Sequence, residues 1–353
     1  MLMFPETLKA WLRDGRARWR LRTNDLARPR REREALETLY RFAIDTTPAE
    51  TRPLAGVVFS RNRAMQLHAL LTSYARNARG ALPPLHVLYS AGSNAHRAAY
   101  DELFAAASCG HEFPAIAATP DGATGFREAL IRMLEELDSQ RLFFLVDDIV
   151  FTRPVDYDLL AQVDSYRYVT SLRLGRHLDT RYATAEPQPL PRFLESPHPE
   201  MLCWEWGPGP GDWGYPLSLD GHVFLRREML AMIRSLSFSA PNSLEGELSA
   251  VYAPWFLPRH GLCFSESRLV NVPVNLVQTE RLNRHGGIHQ DALLEKWRQG
   301  LRIDVRPFQG LTNRSVHEEA EFTYEERGAS GPCPAAETAR GGRRAPRGVA
   351  GVG

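Results

Sequence analysis

The stretch RLFFLVDDIVFTRP, residues 141–154, decides the reading of this chain. Leu142 to Val146 form an unbroken apolar run of the kind that makes a strand buried on both faces. Asp147 and Asp148 follow at once, and Ile149, Val150 and Phe151 resume the apolar pattern. Two like charges where a buried strand ends repel one another and are costly unless something positive meets them. An arginine, a helix N-terminus or a metal ion would serve. The plain alternative is an N-cap or an acidic turn tied off locally, with Arg153 two residues beyond the apolar run as the nearest partner.

Outward from this strand, apolar spacing alternates between two periods. In TRPLAGVVFSRNRAMQLHALLTSYARN, residues 51–77, Leu54 to Phe59 read as a strand. After SRNR the apolar residues fall at helical spacing, at Leu67, Leu70, Leu71 and Tyr74. A second strand is expected at Leu85 to Tyr89 and a helix in NAHRAAYDELFAAA. Another helix is expected in GFREALIRMLEEL, whose stripe is Phe126, Leu130, Met133, Leu134 and Leu137. Strand and helix in alternation predict an α/β fold: a Rossmann-type, mostly parallel central sheet flanked by helices. Ligands of such sheets sit beyond the carboxyl ends of the strands, which is where both SRNR and the aspartate pair fall.

Beyond residue 156 the pattern loses regularity until about 275, with many prolines, aromatics and short apolar runs. VNVPVNLV, residues 270–277, reads as strand-like, and IHQDALLEKWRQG as helical. Residues 1–50 form a separate helical extension, with Phe4, Leu8, Trp11 and Leu12 on one face and an arginine-dense middle. That arm either rests on an anionic membrane surface or packs on the body with its arginines solvated. The expected organisation is this extension, a catalytic domain over 51–310, and a C-terminal tail over 311–353 that is disordered from about 328.

Totals narrow the function classes. A chain of 353 residues with a formal net charge of +1 lacks the basic excess of a nucleic-acid binder. Its basic residues are nearly all arginine, with lysine only at Lys9 and Lys296, which suggests a GC-rich bacterial genome. Cys109, Cys203, Cys263 and Cys333 are too scattered for a zinc framework or a disulfide pattern. No signal-peptide core and no membrane span is evident, so a cytoplasmic protein is expected, with the inner membrane face as a peripheral station for the arm. The sequence contains no P-loop, H-E-x-x-H or G-x-S-x-G motif.

The strand running into SRNR, together with FREALIRMLEELDSQRLFFLVDDIVF, resembles the GT-A nucleotide-sugar glycosyltransferases over about residues 54–300. Their D-x-D motif ends a central strand and grips the donor diphosphate through a divalent metal. Here it is shortened to Val146-Asp147-Asp148. The resemblance implies a manganese or magnesium ion on Asp147 and Asp148, hard oxygen ligands that leave positions open for phosphate. It adds His285 and His289, in RLNRHGGIHQ, as further ligands. It places the nucleotide against Ser60, Arg61 and Arg63, with Asp121 and Arg127 reaching base or ribose; for the latter two an ordinary helix start is an equal reading.

Trp204, Trp206, Trp213 and Tyr215 crowd a glycine- and proline-rich stretch that resembles the family's sugar and acceptor loops, although each ring taken singly is better read as a core anchor. Asp220 and Gly221 open an apolar run where glycine lets a ligand approach the backbone. The general base implied for an inverting enzyme is Glu245 or Glu247, in PNSLEGELS, or Asp212. Asn242 followed by Glu245 also fits a capping box. The function implied is sugar transfer from a nucleotide-sugar donor to a hydroxyl of a carbohydrate or glycolipid, in bacterial surface polysaccharide or glycolipid synthesis. The rivals are a sugar nucleotidyltransferase, against which the missing phosphate-loop lysine counts, and a non-catalytic sugar-binding protein.

Overall fold

The computed structural model describes residues 52–108, 116–120, 125–274 and 288–327. The N-terminal arm, the tail from 328, Asp121, His285, Cys109, Cys333 and the end of VNVPVNLV lie outside the described residues.

The first half alternates as its periodicity demands. Strand β1 (Arg52–Arg61) leads to helix α1 (Ala64–Arg76), β2 (Leu85–Ser90) to α2 (Asn94–Ser108), and β3 (Ile116–Pro120) to α3 (Gly125–Glu136), which returns into β4 (Ser139–Val146). β1, β2, β3 and β4 are all parallel, with β1 between β2 and β4. After the two aspartates the chain makes a short strand, β5 (Ile149–Phe151), and helix α4 (Tyr157–Gln162).

The irregular second half supplies strands that periodicity did not reveal: β6 (Tyr168–Ser171), β7 (Phe193–Leu194), β8 (Met201–Glu205), β9 (His222–Leu225) and β10 (His260–Phe264). They extend the sheet to nine strands in the order β3-β2-β1-β4-β9-β6-β10-β8-β7. β9 runs antiparallel to β4 and β6, and β8 antiparallel to β10 and β7, so the remaining seven of the nine share one direction. The sheet is therefore mostly parallel, as expected.

Helices α5 (Arg226–Ser235), α6 (Pro241–Phe256) and α7 (Gln290–Arg298) complete the layers. Alternate residues of the central strands feed two cores. Leu54 and Val58 of β1, with Phe143 and Leu145 of β4, join α1, α2 and α7 on one face. Val57, Phe59, Leu142 and Phe144 join α3, α5 and α6 on the other. Burial on both faces explains why β4 reads as continuous apolar sequence rather than as alternation. Of the described part of VNVPVNLV, Val270 and Asn271 are strand, within β11 (Leu269–Asn271), which pairs with β5. A small pair, β12 (Leu301–Ile303) and β13 (Tyr324–Glu326), lies within what was expected to be domain edge and tail. Among the described residues no helix is long and apolar enough to cross a membrane.

Helix α6 starts earlier than expected. Pro241 takes its first position, and the Ser243 hydroxyl accepts from the Ala240 backbone N–H at 3.0 Å. Asn242 is thus inside the helix and is not its cap. Proline fits there because its fixed φ suits the first turn and its missing N–H would have had no helical partner.

Candidate functional site: a carboxylate pair held by an arginine

Parallel register builds the site. Phe59 of β1 lies opposite Val146 of β4, and the Asp147 N–H donates to the Phe59 carbonyl at 3.1 Å. The carboxyl ends of the two strands therefore set Ser60 and Arg61 beside Asp147. Asn62 then adopts a left-handed backbone (φ 56°), a conformation asparagine tolerates better than most residues. Its side-chain oxygen accepts from the Gly92 N–H at 2.7 Å, pinning the turn to the end of β2. The chain thereby doubles back, and Arg63 is directed at the acidic pair.

Asp147 is 3% exposed and Arg63 8% exposed. Arg63 donates to Asp147 Oδ1 at 2.8 Å and to Asp148 Oδ2 at 3.4 Å. Asp147 Oδ2 also accepts from the Ser60 hydroxyl at 2.8 Å and from the Arg61 N–H at 3.1 Å. Because a carboxylate only accepts, Ser60 spends its one proton on Asp147. The 2.6 Å contact between Ser60 and Tyr100 must then have the phenol as donor, and the phenol oxygen accepts from the Arg63 N–H at 3.1 Å. A directed chain runs from Arg63 through Tyr100 and Ser60 to Asp147. Asp148 Oδ1 accepts from Asn271 at 3.2 Å, and its carbonyl accepts from the Val272 N–H at 2.8 Å.

The charges respond to this packing. Burial pulls the Arg63 guanidinium down, but Asp147 and Asp148 outweigh burial and hold it above its ordinary value. Burial pushes the Asp148 carboxyl up to about 6, with Asp147 and Asp220 adding to the rise and Arg63 and Asn271 opposing it. Burial and the Asp147 charge likewise push the Tyr100 phenol up, so it stays a donor. Asp220 has its own counter-ion: Arg173 donates to it at 2.9 Å and to Ser218 at 2.6 Å.

The positive partner that the strand-end charges required is thus Arg63. It is not Arg153, whose guanidinium is spent on the Leu311 and Gly310 carbonyls, Thr312 and Glu266. A divalent ion bound by both aspartates does not fit this donor set. Each of the four carboxylate oxygens already accepts a hydrogen bond. An ion placed about 4 Å from the guanidinium would be repelled by it by about 8 kcal/mol at an effective dielectric of ~20, which offsets part of the ion's attraction to the two carboxylates. Among the described residues no group of three His, Cys, Asp or Glu side chains is placed to hold a metal. His289 is the exposed N-cap of α7, where its ring accepts from the Asp291 N–H at 3.3 Å.

The other expected residues stand on other elements. Arg127 donates to the carbonyls of Leu236 and Arg234, each at 2.8 Å, and so closes the C-terminal end of α5. Glu245 and Glu247 stand on the first turns of α6, whose Leu244 and Leu248 are core. Asp212 lies in a single 3-10 turn, its N–H on the Gln188 side chain at 2.9 Å. Gly221 has φ 77°, and a side chain there would strike Leu269 at 2.7 Å, so the close approach is made by protein. Trp204, Trp206 and Trp213 are fully buried. Tyr100, Asn271 and Arg173 were missed: the first reads as one more apolar position on a helix, and the other two carry no motif.

Beside Gly221, His222 is 1% exposed and donates from Nδ1 to the Pro216 carbonyl at 3.0 Å. Its Nε2 has no partner among the described residues. Burial, offset in part by the Pro216 hydrogen bond, holds the imidazole down to about 3. Below pH 6.5 the unfolded chain takes up a proton here that the fold refuses, so this contribution to stability falls as pH drops from 6.5 towards 3, by about 1.4 kcal/mol per unit. Asp148 acts in the opposite sense. From about pH 4 to 6 the fold keeps a proton that the unfolded chain has released, so its contribution falls as pH rises. We expect the His222 ring signals in a ¹⁵N NMR titration to stay those of a neutral imidazole at pH 5. A midpoint near 6.5 would contradict the burial argument.

No protein-family model matches the chain, and no curated protein matches it. Among solved structures, the chain is similar to the bifunctional glycosyltransferase WbbM at 12% identity and a TM-score of 0.33, over 58% of this chain and 38% of that one. It is similar to the mannosyltransferase PcManGT from Pyrobaculum calidifontis, solved with GDP-Man and Mn2+, at 18% identity and a TM-score of 0.26, over 42% of this chain and 48% of that one. A Bacillus anthracis protein described as a glucose-1-phosphate thymidylyltransferase matches at 12% identity and a TM-score of 0.34, over 62% of this chain and 89% of that one. The chain spans less than half the length of WbbM and of PcManGT. Likenesses this slight assign no function. The class that the sheet itself defines is an α/β protein with a mostly parallel sheet and a cluster of charged and polar side chains at its strand ends.

Proposed function

We propose that this protein is a glycosyltransferase that moves a sugar from a nucleotide-sugar donor to a hydroxyl of a carbohydrate or glycolipid acceptor. One observation carries the reading: the loop at 60–63 and the turn at 147–148 meet at the carboxyl ends of adjacent parallel strands, where α/β sheets bind nucleotides. The exposed Arg61 side chain suits a phosphate or a base face. In the transfer, the bond from the sugar anomeric carbon to the diphosphate oxygen breaks and the diphosphate leaves with the electron pair. The acceptor oxygen bonds to that carbon, and its proton passes to a carboxylate, for which Glu245 and Asp212 are the proposed bases. A role in bacterial surface polysaccharide or glycolipid assembly, with the basic arm on the inner membrane face, belongs to the same proposal.

The test is a panel of UDP-, GDP-, dTDP- and ADP-sugars incubated with the purified chain, read as release of nucleoside diphosphate, since slow donor hydrolysis needs no acceptor. One donor class is expected to be hydrolysed above the buffer rate. Binding of a donor without release would favour the non-catalytic sugar-binding reading. Exchange of pyrophosphate into a nucleotide sugar would favour the nucleotidyltransferase. Neither binding nor turnover of any donor would remove all three.

A further inference from the structure

We infer that Arg63 takes the place of a divalent cation at the acidic pair, and that nucleotide binding at these strand ends is independent of metal. The inference rests on the proposed nucleotide-sugar reading and concerns this chain's own residues. Its basis is the bridging geometry: one guanidinium reaches Asp147 at 2.8 Å and Asp148 at 3.4 Å, with Arg63 and Asp147 both buried.

Three further observations fix that geometry. The left-handed turn at Asn62, held by Gly92, directs Arg63 inward. The Arg63 N–H is anchored on Tyr100, which passes the constraint through Ser60 to Asp147. Asn271, on the strand paired with β5, holds the second aspartate from the far side. A metal would therefore have to expel a buried guanidinium, break the directed chain and strip Asn271 from its acceptor. Hard cations need several free oxygens at short range, and this arrangement offers none that is free of a hydrogen bond. The diphosphate of a bound nucleotide would be met by cationic side chain and backbone N–H groups instead.

Calorimetry of the full chain with UDP, GDP, ADP and CDP, in EDTA and again in excess manganese chloride, tests this. Protein-free titrations supply the correction for manganese binding to the nucleotide itself. For the nucleotide that binds, the dissociation constant in EDTA is expected within about threefold of that in manganese. In parallel, manganese added alone should keep its full free-ion electron paramagnetic resonance signal in the presence of protein. Affinity at least about tenfold higher in manganese, or loss of one equivalent of free-ion signal, would overturn the inference while leaving the transfer reading in place. No nucleotide binding in either condition would overturn both.

Discussion

Replacing Arg63 with methionine is expected to destabilise the protein by about 3–5 kcal/mol, the usual cost of removing one partner from a buried ion pair. On a domain of this size that corresponds to a fall in Tm on the order of 10 °C. The cause is the uncompensated negative charge that remains, more than the absence of the guanidinium itself. Asp147 would keep its two remaining donors, Ser60 and the Arg61 N–H, but two carboxylates would face one another with no counter-ion. Asp148, already held up to about 6, would be driven higher and would take a proton at neutral pH. A double-mutant cycle with Asp147→Asn separates this from mere loss of packing. If repulsion is the cause, the double variant recovers much of the loss, with a coupling of about 1–3 kcal/mol. A double variant no more stable than Arg63→Met alone would show that the arginine acts only through its shape.

Trp204→Ala should cost a similar amount, about 3–5 kcal/mol, by leaving a cavity in the second core. Trp204 lies opposite Gly261 across β8 and β10, and its ring covers that glycine: a Cβ there would stand 2.2 Å from the indole. Its N–H donates to the Trp213 carbonyl at 2.9 Å, and its ring meets Trp206 and Trp213 edge-on at 4.7 and 4.9 Å. The three rings therefore organise the glycine- and proline-rich loop from below. We expect urea unfolding to show the stability loss and calorimetry on the folded variant to show unchanged ligand affinity. A raised ligand Kd at unchanged stability would return Trp204 to the sugar-contact role that its sequence neighbourhood implied.

The parallel half of the fold was legible because its strands and helices differ in apolar period. Leu54 to Phe59 and Leu142 to Val146 run on without polar breaks, and Leu67, Leu70, Leu71 and Tyr74 recur at helical spacing. β3 is hidden among short alanine-rich residues, and β6 to β10 are hidden because strands of two to five residues, separated by proline-rich loops, carry too little periodicity to register. At the site, sequence position alone brought Ser60, Arg61, Arg63, Asp147 and Asp148 together. It did not reveal the partner of the acids, because that depends on one left-handed residue, Asn62, turning Arg63 back on its own strand end. Asparagine between two arginines after an apolar strand was the available signal. Arg127 and His289 carried a second reading for a related reason: helix termini attract the same residue types that ligands do, and both make their hydrogen bonds at helix termini here.

A crystal structure with the nucleoside diphosphate that binds tightest is the most direct measurement. The diphosphate is expected at the carboxyl ends of β1 and β4, within hydrogen-bond reach of the loop at 60–63, with Arg63 still bridging Asp147 and Asp148. A nucleotide bound elsewhere, or an aspartate pair released from Arg63 and closed on a metal ion, would contradict this.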